Sequence, residues 1–289
     1  MIKVKLLKYD EDVLKQIGMM AGICYGTTNE KAFKRIAKRC LAENHGRVTE
    51  FTDIYMEISG ISAKVAREFY THVIGTSRMQ ESTRYIDYSK GDLSVVKPKS
   101  VIANEEASCL WDKTISIIQQ TMKDLKVLDV PVEDLTNLLP LAYETKIVVK
   151  INLRALIHMF HVRACICAYW EYRDLMNAIK KEVSGISEDW KFISDNYFVP
   201  KCVVSGYCDE TTRCCGLKPL KDKEWLYMKT FYTKSSKSKI GIPNQKAKPI
   251  IKELEKKDLI VSQVKKYGVF EVNEDGFKLV QKLIDIEVR

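Results

Sequence analysis

Between Ser77 and Lys90 the chain reads SRMQESTRYIDYSK, a run with two arginines, two tyrosines, three serines and hardly an aliphatic side chain. Arg78 and Arg84 offer the forked guanidinium that matches a phosphate or carboxylate in two hydrogen bonds. Gln80 carries both a donor and an acceptor, which suits the amide-like edge of a ring such as uracil. Ser82 has the type of a nucleophile but no base beside it in sequence, so its hydroxyl is better read as a hydrogen-bond donor to a ligand oxygen. The composition fits a cradle for an anionic, hydrogen-bonding ligand. It also fits a solvated loop.

A second group of chemistry-bearing residues lies at 151–183, INLRALIHMFHVRACICAYWEYRDLMNAIKKEV, read as one long helix with no Gly or Pro inside it. Asn152 and Arg163 are about three turns apart at ~3.6 residues per turn and share a face. Arg154, His158 and His161 follow one another at i, i+4 and i+7 and share another. Apolar residues fill much of the remaining surface, so the helix is expected to be buried on several sides, where an arginine needs a carboxylate or a bound anion. On this segment alone, internal salt bridges to Glu144, Glu171 or similar acids are the better reading.

Other chemistries have less support. No carboxylate stands at a supporting spacing beside His158 and His161. Cys202, Cys208, Cys214 and Cys215 form C-x5-C-x5-C-C, wider than the usual zinc pairs, and packed thiols are the better reading. There is no Gly-rich phosphate loop, no G-x-S-x-G and no Cys-His nucleophile pair.

The elements that must position these residues are mostly helices. Helical spacing marks 11–26, 29–44 (with Asn29 as N-cap), 61–72, 104–127 and 132–140. Alternation marks strands at 51–60 and 142–150, with a short strand-like LSVVKP after the turn at Gly91-Asp92. The expectation is an α+β fold, a helix-rich domain with a small mixed or antiparallel sheet over residues 1–216. From Leu217 to Arg289 there are 17 basic and 10 acidic residues, which is 7 of the net +9 carried by the 289 residues. In that tail KSSKSK (234–239) reads as a linker or loop. The order helix, hairpin with Gly268, helix that follows is that of a winged-helix-like module or of a small packed appendage. Basic surplus favours anionic partners in general, nucleic acid among them. No apolar run is long enough to span a bilayer and the N-terminus has no apolar signal core, so a cytoplasmic protein with reduced thiols is expected.

Three blocks in order resemble the flavin-dependent thymidylate synthases: NHGRVTEF (44–51), THVIGTSRMQESTRYIDYSK (71–90) and LPLAYETKIVVKINLRALIHMFHVRACICAYWEYRDL (139–175). Departures are specific. Thr71-His72-Val73 stands where the family has Arg-His-Arg, with one extra residue before Ser77. Thr136 replaces an arginine near Leu-Pro, Phe51 a second histidine, and His158 a helical asparagine. Arg78 is the candidate replacement charge.

The resemblance implies FAD as redox cofactor, dUMP or a related uracil nucleotide as acceptor, methylenetetrahydrofolate as carbon donor and NADPH as reductant. It implies dUMP contacts from Arg78, Gln80, Glu81, Ser82, Arg84 and Arg163, with Arg163 and Ser82 closest to the chemistry. Flavin contacts would come from His72, Asn152, Arg154 and His158. It implies no metal, no membrane, and a homotetramer whose active sites are shared between subunits. Two alternatives stand beside it: a flavoenzyme making another C5 modification such as hydroxymethylation, and a weakened homologue binding nucleic acid through its basic C-terminal module.

Overall fold

The two alternating segments become the central strands of a sheet in the computed structural model, which describes residues 2–210, 212–218, 228–235, 239–264 and 269–287. Contacts divide the chain into Met1–Ser205 and Gly206–Arg289.

The first unit runs β1 (Lys3–Lys8), α1 (Val13–Cys24), α2 (Glu30–Ala42), a 3-10 turn (Gly46–Phe51), β2 (Asp53–Ser62), α3 (Ala63–Phe69) and β3 (Thr76–Gln80). It continues through α4 (Lys99–Ile102), α5 (Glu105–Val127), α6 (Val132–Leu135), β4 (Glu144–Asn152), α7 (Leu153–Arg163), α8 (Trp170–Ser184), α9 (Glu188–Tyr197) and α10 (Lys201–Ser205). The strands pair antiparallel in the order β1-β2-β4-β3. Strand alternation sends Ile54, Met56, Ile58, Ile147, Val149 and Ile151 into one core with Leu153, Leu156, Phe160, Tyr172, Leu175 and Trp190. The opposite sheet face keeps Asp53 and Lys150, paired at 3.0 Å. Edge strand β1 was not read from the sequence; its KVKLLK carries the lysines that suit an edge.

Two expectations need correction. The opening stretch is not loop throughout, because Thr76–Gln80 is an edge strand. The long helix at 151–183 is two helices. Asn152 ends β4 and caps α7, its Oδ1 accepting from Ala155 N at 2.8 Å. After Arg163 the chain turns through 164–169 before α8, and Arg173 Nη1 bonds the carbonyls of Ile166 and Ala168 in that bend. A side chain two turns ahead satisfies the break, so neither Gly nor Pro marks it.

The second unit runs β5 (Met228–Tyr232), β6 (Lys239–Pro243), α11 (Asn244–Lys256), β7 (Ile260–Val264), β8 (Val269–Val272) and α12 (Glu274–Glu287). Its sheet order is β6-β5-β8-β7, with β5 parallel to β8. Phe231, Ile242, Phe270, Leu254 and Val280 share its core. The expected helix, hairpin, helix order is present as α11, β7-β8 and α12. The winged-helix reading is not confirmed: β8 pairs parallel with β5 on one side and antiparallel with β7 on the other. The segment read as a linker, 234–239, connects β5 to β6, and that extra hairpin supplies β8's second neighbour. Gly268 lies outside the described residues.

Candidate active site

Helix α7 organises the first cluster. Its start is fixed twice: Leu153 N donates to Thr52 O at 2.8 Å and Asn152 N to Gly75 O at 2.9 Å. Gly75 has φ +72°, and a Cβ there would lie 2.6 Å from Asn152 Nδ2, so glycine alone fits both the backbone and the contact. The loop from Thr71 to Gly75 is thereby pressed along α7.

At the other end of α7, Arg163 reaches the same loop. Its Nε donates to His72 Nε2 at 3.0 Å, Nη2 to Thr71 Oγ1 at 3.2 Å, and Nη1 pairs with Glu68 at 2.9 Å. Its guanidinium carbon lies 4.8 Å from the ring centre of the buried Tyr172. The His72 ring sits 6.3 Å from that of His158 and 6.2 Å from that of Tyr172. Burial, then the charge on Arg163, then His158 and Arg78 push His72 down to about 4. At neutral pH it is an uncharged acceptor for Arg163, and its Nδ1 carries the proton.

Arg78 is committed nearby. Its Nη1 donates to His72 O and Thr76 Oγ1, both at 3.0 Å, and Nη2 to Tyr70 O at 2.8 Å, with the guanidinium over the Tyr70 ring at 4.3 Å. Its Nε is buried with no partner among the described residues. Arg78 clamps the loop that presents His72.

Arg154 lies on another side of α7, in a cavity of about 690 Å³ that His158 also borders, together with His45, Gly46, Thr49, His161, Asn196, Tyr197 and Lys201. Arg154 is paired with Glu50.

The remaining predicted residues form a separate network. Gln80 Nε2 donates to Tyr143 Oη at 3.3 Å and Thr145 Oγ1 at 3.2 Å. Glu81 continues the sheet pairing with Lys146, whose N–H it also bonds through Oε2 at 3.1 Å. Ser82 turns the chain: its carbonyl accepts from Tyr85 N and Ile86 N, and its Oγ from Arg84 N. Arg84 is exposed and pairs with Glu133 at 2.8 Å.

The structure therefore gathers His72, His158, Asn152, Arg163 and Arg78 around one loop, with Arg154 on the cavity side of α7. It keeps Gln80, Glu81, Ser82 and Arg84 in a different neighbourhood. Sequence reasoning missed Glu68, Tyr172, Asn196, Tyr197 and Lys201. Tyr172 lay inside a helical stripe that looked merely apolar. Lys201 follows Pro200 in a segment without periodicity, and nothing distinguishes Glu68 from a surface acid. Among the described residues no group of three or more His, Cys, Asp or Glu is arranged to hold a metal ion.

Residues 5–187 match the family model described as "Thymidylate synthase complementing protein". The flavin-dependent thymidylate synthase of Thermococcus onnurineus is 34% identical over 72% of this chain and 89% of its own. That of Pyrococcus furiosus is 30% identical over 73% and 90%. That of Geobacter sulfurreducens is 28% identical over 74% and 94%. A solved structure of thymidylate synthase X from Helicobacter pylori with FAD and dUMP is 20% identical, covering 64% of this chain and 95% of that one at a TM-score of 0.49.

Proposed function

The chain belongs to the thymidylate synthase complementing protein family, and from that membership we propose that it is a flavin-dependent thymidylate synthase. The net reaction joins dUMP, methylenetetrahydrofolate, NADPH and a proton to give dTMP, tetrahydrofolate and NADP⁺. FAD, when bound, supplies the redox chemistry between NADPH and the transferred carbon.

The residues present fit that cofactor. The α7 cavity is lined by Arg154, Lys201 and three histidines with no carboxylate, and His161 Nε2 is buried there with no partner among the described residues. His72, Asn152, Arg154 and His158 would hold FAD. Gln80, Glu81, Ser82, Arg84 and Arg163 would hold dUMP. Arg163 would donate to the oxygen on which charge develops, and Ser82 would line the base. Arg78 would contribute charge from its place in the loop clamp.

The observation that carries the reading is the contact of Arg163 with a neutral His72 beside a basic cavity. It offers positioned donors and no activated nucleophile, as chemistry done by cofactors requires.

Within one protomer Arg84 and Arg163 belong to separate networks, and we read the dUMP site as built by different subunits of a homotetramer. The 23-residue α5 supports this: Met122 is its one fully buried side chain, while Leu110 is 67% and Leu128, just past its end, 72% exposed. Among the described residues no helix is long and apolar enough to cross a membrane.

A second reading, another C5 modification of a uracil nucleotide, is favoured by one observation. Thr71, in the place of a family arginine, accepts from Arg163 and donates to the Glu68 carbonyl without adding charge, and the Glu68 carboxylate neutralises that arginine. Incubation with dUMP, methylenetetrahydrofolate, NADPH and FAD, followed by identification of the nucleotide product, tests both. Formation of dTMP supports the first, another C5 adduct the second. A protein that takes up no FAD sinks both.

A further inference from the structure

His161 was assigned no role, yet it completes the basic lining of the α7 cavity. It lies one helical repeat beyond Arg154 and on the same side, and its Nε2 is shut off from solvent without a hydrogen-bond partner among the described residues. A buried polar nitrogen left unpaired costs ~1–3 kcal/mol, so such atoms are normally paired by the protein, by water or by a ligand.

The charged and titratable groups around it are all basic or weakly acidic. From α7 come Arg154 and His158, from the segment after α2 His45, from α9 Tyr197 and from α10 Lys201. Glu50 is engaged by Arg154, and Glu43 is paired with Arg39 and approached at 3.8 Å by His45. No carboxylate lines the cavity, so an anionic group entering it meets an excess of positive charge.

Resting on the assignment of FAD to this face, we propose that His161 is a further flavin-binding residue: it contacts the pyrophosphate of FAD and takes up a proton when that group binds. Before binding, desolvation and the neighbouring His158 and Lys201 hold the imidazole below its ordinary value, so it is neutral at pH 7. The pyrophosphate brings a permanent opposite charge and raises it. Binding then consumes a proton, and affinity rises as pH falls between the bound-state and free-state values.

The experiment is FAD titration by flavin fluorescence quenching at pH 6, 7 and 8, on the full-length wild type and on His161→Gln and His45→Gln, with riboflavin as a probe lacking phosphate. Wild type is expected to bind FAD several-fold more tightly at pH 6 than at pH 8, because binding consumes a proton over that window. The slope should vanish in His161→Gln and persist in His45→Gln, and riboflavin should show none. Unchanged thermal midpoints would place the effect on binding. A slope that survives in His161→Gln, or its absence in wild type that binds FAD, overturns the inference while leaving the flavoenzyme reading intact. No FAD binding by wild type at any pH overturns both.

Discussion

Protonation of His72 should loosen the loop that carries it. In the fold its Nε2 accepts from Arg163 Nε at 3.0 Å, an arrangement that needs the ring's lone pair. A proton there would break that bond and set an imidazolium against a guanidinium. The ring falls from an ordinary 6.5 to about 4. A group depressed in the fold adds stability that is complete above its unfolded value and is lost as pH falls toward the folded one. The window is therefore pH 6.5 down to 4. At 1.36 kcal/mol per unit the undiscounted figure is ~3 kcal/mol. Because the ring is only about half buried, solvent screening reduces this to ~1–2 kcal/mol. The chain has four histidines, so single substitutions suffice to assign the ring resonances by NMR. His72 should titrate below pH 5. Urea unfolding should lose ~0.5–1 kcal/mol between pH 7 and 5, about half of the whole, beyond the loss in His72→Gln. A His72 resonance titrating near 6.5, or identical pH profiles for the two proteins, would refute the geometry.

Three further outcomes are expected. Arg84→Ala and Arg163→Ala should each weaken dUMP binding by ~1.5–3 kcal/mol, the cost of one charge-assisted contact; calorimetry that finds unchanged affinity in both removes the nucleotide assignment. Gly75→Ala should cost ~1–3 kcal/mol in unfolding experiments through its left-handed backbone and the clash with Asn152, and should displace the α7 cap. Glu171 is 1% exposed and accepts from Ser62 N at 2.6 Å and Ser62 Oγ at 2.7 Å, anchoring the start of α3. Glu171→Ala should cost ~2–4 kcal/mol by leaving two buried donors unpaired, whereas a thermal midpoint equal to wild type would show that water replaces the carboxylate.

What the sequence disclosed follows from where periodicity is simple. Strands β2 and β4 bury one face cleanly, and their alternation was legible. Helix α2 has a solvent side and an asparagine cap, with Asn29 Oδ1 accepting from Lys31 N at 3.1 Å, and was legible for the same reason. Helix α7 and helix α8 merged because both keep helical spacing up to a bend whose carbonyls are bonded by Arg173. The second unit was half legible: α11 and α12 show apolar stripes, but β5 and β6 flank the basic KSSKSK run that composition alone marks as a linker. In the site, residue types were readable and partners were not. Arg163 and His72 are 91 positions apart, and only the fold brings them to 3.0 Å.

That difference matters most for the charge around Arg163. A count of sequence substitutions gives two cations lost at Thr71 and Val73 and one gained at Arg78. The structure distributes those charges otherwise. Arg78 lies over Tyr70 and bonds two backbone carbonyls, so much of its donor capacity maintains the loop. Arg163 is opposed by Glu68, with only 19% and 28% of the two side chains exposed. A partly buried pair of this kind is weakly screened. An arriving phosphate would have to compete with Glu68, whereas a neutral carbonyl edge could take the guanidinium's remaining N–H groups without separating the pair. On the proposed dUMP reading, Arg163 would therefore take the base and not the phosphate. The phosphate would then fall to cations that Glu68 does not oppose, such as Arg84, on its exposed turn and paired with the exposed Glu133.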